Sequence, residues 1–381
     1  MPFDFDRTVN RRGTGSVKWD VGENELPMWV ADMDFEVPPC VSEAILERAS
    51  HRVYGYSVIP DEWYGAYSGW WERRHGLSIE KEWMVFCTGV VPAISSCVRR
   101  FTAPNENVVI QTPVYNCFFS SILNNGARIL ENPLTYSDGS YSIDFDDLEK
   151  KLKDPQTTLM ILCNPQNPSG NIWTREELST IADLALRYHV RVISDEIHCD
   201  ITEPGKGYVP FASVSDAAKY NSITLIAPTK TFNIAGIKTA AVVVPDPDLK
   251  HKTWRALETD EVAEPNAFSC CAAVAAFERG GEWLDELRRY VYANRTFAEE
   301  YIGERIPSLK AVHGEATYLM WIDVRGADPD SVRFSNGLRK KTGLFVCPGK
   351  IYGGEGFIRL NLACPRTTLE DGLKRLESFC C

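Results

Sequence analysis

The chain is 381 residues long and has twelve cysteines, yet no CxxC or CxxH spacing, so no structural zinc site and no other metal site is expected. It has no basic stripe: acidic and basic residues are interspersed and the net charge is −11, which argues against nucleic acid as a partner. No apolar run approaches the length needed to cross a bilayer, so no membrane association is expected. The opening Met1-Pro2-Phe3-Asp4-Phe5-Asp6 has no apolar signal-peptide core. A cytoplasmic location therefore follows as an expectation, with the cysteines as free thiols serving as small buried apolar filler. Internal repeats, low-complexity tracts and linkers are also missing. What remains is ordinary globular composition in a chain long enough for one large and one smaller domain.

Residues 1 to about 37 read as an irregular arm. Its stretch Leu26-Pro27-Met28-Trp29-Val30-Ala31-Asp32-Met33-Asp34-Phe35 is dense in aromatic and thioether side chains but has neither strand nor helix period. Such a segment either covers a core or forms the rim of a pocket. Pro38-Pro39 opens a helix to about Ser50, and Asp61 to Arg74 reads as a second helix, ended by His75-Gly76. The pair Trp70-Trp71 is assigned to helix packing. From Trp83 onward strands and helices alternate. Strands are expected at 83–87, 107–111, 127–131, 157–163, 190–194, 222–226 and 239–244. The Thr174-Arg175-Glu176-Glu177 capping box starts one intervening helix. Helices dominate after Pro245, at 266–279 and 281–304. Strands at 318–324 and 357–361 and helices at 329–341 and 367–379 follow, the last opened by a second capping box, Thr367-Thr368-Leu369-Glu370.

This pattern predicts an α/β fold: a large domain with a mostly parallel seven-stranded sheet flanked by helices, plus a smaller α+β domain formed by the N-terminal arm and the C-terminal segment. The boundaries are set at 1–45 for the arm, 46–280 for the large domain and 281–381 for the small one.

In such sheets ligands bind beyond the carboxyl ends of the strands. Five polar features fall there: Gly89 before a helix, Tyr115, the run Asn164-Pro165-Gln166-Asn167-Pro168-Ser169-Gly170, Asp195, and Lys230 within Ala227-Pro228-Thr229-Lys230-Thr231-Phe232-Asn233. A lone lysine in a turn is usually a solvated charge. One that converges with an acid, an amide, an aromatic and a helix start fits pyridoxal phosphate. That cofactor needs a primary amine for its carbonyl and a carboxylate beside its ring nitrogen. Asp195 supplies the carboxylate and Asn167 a donor for the phenolate oxygen. Tyr115 supplies a stacking face, the Gly89, Val90 and Val91 amides a phosphate cradle, and Lys238 added positive charge. The Gly353-Gly354-Glu355-Gly356 run lacks a strand–helix context and is read as a plain loop.

These motifs in order, with Gly356-Phe357-Ile358-Arg359-Leu360-Asn361-Leu362-Ala363-Cys364-Pro365-Arg366, resemble the class I/II aminotransferase superfamily of fold-type I pyridoxal-phosphate enzymes. Gly13 to Asp20, Leu26 to Phe35 and Asp195 to Cys199 are similar to its MalY/PatB group of cystathionine β-lyases. The resemblance implies that Lys230 carries the cofactor and then shuttles the Cα proton, with Asp195 and Tyr115 beside it. It implies that Asn167, Thr229, His198, Gly89, Val90, Val91 and Lys238 complete the cofactor site. Arg359 would bind the substrate carboxylate with Asn167 and Ala31. Tyr56 would reach the phosphate of a neighbouring subunit in a homodimer with shared sites. Two departures from many aminotransferases are His198, where a Tyr is common, and Lys238, where an Arg is common. Both occur in the lyase group. His198 could equally be a satisfied supporting histidine.

The expected activity is carbon–sulfur β-elimination from an amino-acid substrate, L-cystathionine or a related S-substituted cysteine, giving a thiol, pyruvate and ammonia. Two alternatives use the same scaffold. An aminotransferase diverges only after the Cα proton is lost. A regulator on an aminotransferase-like domain usually carries a DNA-binding segment, and the arm is too short and acidic for one.

Overall fold

A computed structural model describes residues 3–381. Seven strands form the large sheet: β1 (Met84–Cys87), β2 (Asn107–Ile110), β3 (Arg128–Glu131), β4 (Thr157–Cys163), β5 (Arg191–Asp195), β6 (Ser222–Ile226) and β7 (Ala240–Val243). Their order across the sheet is β1-β7-β6-β5-β4-β2-β3. The neighbouring pairs from β6 to β3 are parallel, and β7 runs antiparallel to both of its neighbours. The sheet is thus mostly parallel, as its continuous apolar runs require when helices cover both faces.

The strands alternate between two cores. Ile110, Leu159, Ile161, Ile193 and Leu225 point to one face, and Val109, Met160, Leu162 and Val192 to the other. Asp195 closes β5 in register with Cys163 of β4 and Leu225 of β6. The ends of β1, β2, β4, β5 and β6 share one edge. Antiparallel β7 starts there too, because Ala240 pairs with Cys87, so the residues just before it also join that edge.

A second sheet holds β8 (Lys310–Val312), β9 (Leu319–Asp323), β10 (Cys347–Pro348) and β11 (Phe357–Asn361), all antiparallel, in the order β8-β9-β11-β10. The helices Ser331–Thr342 and Arg366–Cys380 and part of Gly281–Arg305 share its core.

Three expectations need correction. The arm is not wholly irregular, since Leu26–Pro27 form a short parallel bridge with Leu344–Phe345. The second capping box does not form. The last helix already begins at Arg366, because Pro365 fixes φ at −52° and turns the chain two residues before Thr367 could cap it. The cysteines are free, but not all are buried filler: Cys40, Cys117, Cys270, Cys271 and Cys380 are half-buried and Cys381 is exposed. The first capping box is present in full, with Thr174 and Glu177 bonding each other's backbone. Among the described residues no helix is long and apolar enough to cross a membrane.

Candidate active site

The common strand edge opens into a cavity of about 550 Å³. Its wall includes Ala31, Gly89, Val90, Val91, Tyr115, Asn167, Asp195, His198, Thr229, Lys230 and Lys238. Residues predicted from widely separated strand ends therefore meet in one place.

Lys230 lies in the one-turn helix Pro228–Thr231 directly after β6. Pro at the first helical position fits the turn, and the neighbouring side chains lock it. Thr231 Oγ1 donates to Asp200 Oδ2 at 2.8 Å. The buried Asp200 carboxylate also takes Trp70 Nε1 at 2.9 Å and lies 2.9 Å from His75 Nε2. Trp70 is therefore a hydrogen-bonding group as well as a packing one. Asn233, at φ +57°, holds the arm by bonds to Met33 N, Met33 O and Phe35 O at 2.8–3.1 Å. Lys230 Nζ itself donates to Ala31 O at 2.5 Å.

Burial lowers the proton affinity of Lys230, and the Arg359 charge lowers it further. Asp32, Asp195 and Cys117 oppose this, and the amine settles at about 8. The amine is nucleophilic only when neutral. Acylation of Lys230 in the cofactor-free chain is therefore expected to rise with pH and reach half-maximum at about 8. An ordinary lysine does so near 10.4. Peptide mapping after labelling across pH measures this, and a midpoint of about 10 would make Lys230 a solvated lysine.

Asp195 is buried, and among the described residues one bond reaches its carboxylate, from Ile197 N at 3.2 Å. Burial raises its proton affinity and Glu196 adds to the rise, so the group titrates at about 7. Glu196 points into the opposite core, where Ser194 Oγ, Phe211 N and Tyr208 OH satisfy it. Two adjacent acids thus have different environments: one saturated with donors, the other nearly bare.

His198 is not a satisfied histidine. Its ring makes no hydrogen bond among the described residues, and Nδ1 is buried without a partner. Burial and the positive charges of Lys230 and Arg359 push its pKa down to about 3, so it is a neutral imidazole.

The loop carrying Asn167 is held by Gln166 Nε2 on Gln111 O and Pro113 O, at 3.1 and 2.8 Å, and by Asn164 N on Asp195 O. Gly170, at φ +79°, ends it where a Cβ would stand 2.8 Å from Ala316 O, so only glycine fits. Asn167 Oδ1 accepts from Arg359 Nη1 at 3.1 Å. Arg359, on β11, also donates from Nη2 to Trp29 O at 3.2 Å, while its buried Nε has no partner.

The helix Val90–Phe101 starts at Gly89. Its Val90 and Val91 amides have no partner one turn back, and Pro92 has no N–H to leave bare. Lys238 joins the same wall from the turn before β7. Tyr56 does not line this cavity. It is fully exposed, in a run with the exposed Val53, Tyr54 and Val58.

Sequence reasoning missed Thr88, Cys163, Ile197 and Asn266 in the wall, and Tyr318 behind Ala31. Asn266 stood in a predicted helix that in fact starts at Ser269. A larger cavity of about 760 Å³ opens between Trp83 and Trp254, but it gathers none of the predicted residues.

Residues 23–376 match the family described as aminotransferase class I and II. The chain belongs to that family. It is 43% identical to cystathionine β-lyase PatB of Bacillus subtilis over 99% of both chains. It is 34% identical to protein MalY of Escherichia coli over 98% of both. The solved structure of cystalysin from Treponema denticola, which contains pyridoxal 5′-phosphate, superposes with a TM-score of 0.96 at 33% identity, covering 100% of this chain and 99% of that one. The α/β architecture is that of fold-type I enzymes of this family.

The cavity fits pyridoxal phosphate on its own chemistry. It offers an amine of lowered proton affinity, a nearly bare buried acid, unpaired helix-start amides and an unpartnered neutral imidazole at His198, while Arg359 stands behind the wall on Asn167.

Proposed function

We propose that this chain is a pyridoxal-phosphate-dependent carbon–sulfur β-lyase. It converts L-cystathionine or a related S-substituted cysteine, with water, to a thiol, pyruvate and ammonium. The observation that carries the reading is the convergence of Lys230 and Asp195 in one buried cavity. The relatives support the reaction class.

Lys230 would hold the cofactor's carbonyl carbon and Asp195 its ring nitrogen. Asn167 and His198 would face the phenolate, Tyr115 the ring, and Val90, Val91, Thr229 and Lys238 the phosphate. Bound there, pyridoxal phosphate supplies an electron sink for the pair released at the substrate Cα. Arg359 orients the substrate through its α-carboxylate, for which its unpaired Nε is a ready donor. The freed Lys230 amine, neutral above about pH 8, takes the Cα proton and can pass it to the sulfur leaving Cβ one bond further out. Asp195 would hold a proton on that ring nitrogen. The exposed run from Val53 to Val58 supports a homodimer in which Tyr56 reaches the partner's cavity.

Product analysis tests the proposal. Incubation of the loaded enzyme with L-cystathionine is expected to release homocysteine, pyruvate and ammonia in equal amounts. Stoichiometric pyridoxamine phosphate without ammonia would make the protein an aminotransferase instead.

A further inference from the structure

The arm crosses the cavity with its carbonyls in use. Trp29 O takes Arg359, and Val30 O and Asp32 O both take Asn361 Nδ2 at 2.6 Å. Between these two, Ala31 O accepts twice: from Lys230 Nζ at 2.5 Å and from Tyr318 OH at 3.0 Å. Tyr318 is wholly buried. Its backbone is held on both sides, by Thr317 N on Ile201 O at 2.7 Å and Leu362 N on Tyr318 O at 2.8 Å. Thr317 sits at φ +68°, a costly conformation for a β-branched residue. Strain of that kind persists where the surroundings fix it, and here they fix the residue before Tyr318. The His198 ring stands edge-on to the Tyr318 ring at 6.1 Å.

We propose that Tyr318 is a positioning residue: it holds the Ala31 carbonyl as a dock that receives the Lys230 amine whenever that amine is not covalently engaged. The inference rests on the reading of Lys230 as the reactive amine. A neutral amine that donates one N–H to a carbonyl keeps its lone pair free for a proton. At Nζ an N–H bond forms as the substrate Cα–H bond breaks, and pyridoxal phosphate held in the cavity would supply the sink for the C–H electron pair. The Tyr318 hydroxyl already occupies Ala31 O, so that oxygen is a weaker partner for an ammonium ion, which favours the neutral amine.

Tyr318→Phe keeps the ring and removes the hydroxyl. Its kcat is expected to fall about tenfold with KM within about twofold, one hydrogen bond's worth at a single step. The isotope effect on kcat from Cα-deuterated substrate is expected to rise. In the cofactor-free chain, the pH midpoint for acylation of Lys230 is expected to move up by roughly half a unit or more. Asn361→Ser, which loosens the same carbonyl from its flanks, should also raise the isotope effect, and it decides the matter if the Phe variant does not fold. A wild-type isotope effect and labelling midpoint in Tyr318→Phe would overturn the proposal, even with a lowered Tm, since Tyr318 would then be packing alone. Retained turnover in Lys230→Ala would instead remove the amine from the reaction, and the underlying reading with it.

Discussion

Lys230→Ala is expected to lower pyruvate release from cystathionine by on the order of 10⁴-fold or more, because in the proposed reaction it removes both the covalent anchor and the base at Cα. The fold should survive. Among the described residues the side chain makes one hydrogen bond, to Ala31 O, and Tyr318 still occupies that oxygen. Lys230→Arg should be as inactive as the alanine variant. A guanidinium stays protonated at every working pH, so it can neither condense with a carbonyl nor accept the Cα proton. A second readout separates chemistry from folding: borohydride should fix the cofactor onto the wild-type chain and leave both variants unmodified by mass. Substantial turnover in Lys230→Ala would refute the assignment. Cofactor fixed at a different lysine would relocate the site.

The positions of Lys230 and Asp195 were legible because each follows a short apolar run, and a polar residue there must lie at the sheet edge. Their company was legible for the same reason: Gly89, Tyr115 and Asn167 end strands of the same parallel sheet. Strand limits shifted by only a residue or two, as with β7, predicted from Thr239 and observed from Ala240. The arm was less readable. Its order comes from backbone carbonyls bonded to Asn233, Tyr318, Arg359 and Asn361, hundreds of residues away in the chain. Local pattern carries no trace of such partners. Tyr318 was hidden for a related reason. As the first residue of a predicted strand it reads as sheet core, and only the fold shows that its hydroxyl meets Ala31. The state of His198 was equally closed to sequence, because it depends on burial and on two positive side chains brought near it, Lys230 from the turn after β6 and Arg359 from β11.

Asp195→Asn is expected to separate stability from catalysis. Asn has nearly the same shape, and its side-chain oxygen can still accept from Ile197 N. Folding raises the proton affinity of Asp195 from near 4 to about 7. The contribution of such a group to stability is complete below the unfolded value and is lost as pH rises through the folded one. Above pH 7 the cofactor-free wild type therefore carries a buried carboxylate with a single donor, at a cost of roughly 2–4 kcal/mol. Cofactor-free Asp195→Asn should accordingly have a higher Tm than the wild type at pH 8, and a similar one at pH 4. With pyridoxal phosphate added the order should reverse, because a pyridinium N–H is the partner the bare carboxylate lacks and an amide cannot hold that charge. Turnover should fall by about 10²–10³-fold, the size of effect seen when one fixed electrostatic group is removed from a buried site. Thermal melts of both chains at pH 4 and 8 without cofactor, and at pH 8 with it, test these three comparisons. A wild type more stable than the variant at pH 8 without cofactor would mean that Asp195 is a structural turn residue, and that its place beside Lys230 serves the fold rather than the chemistry.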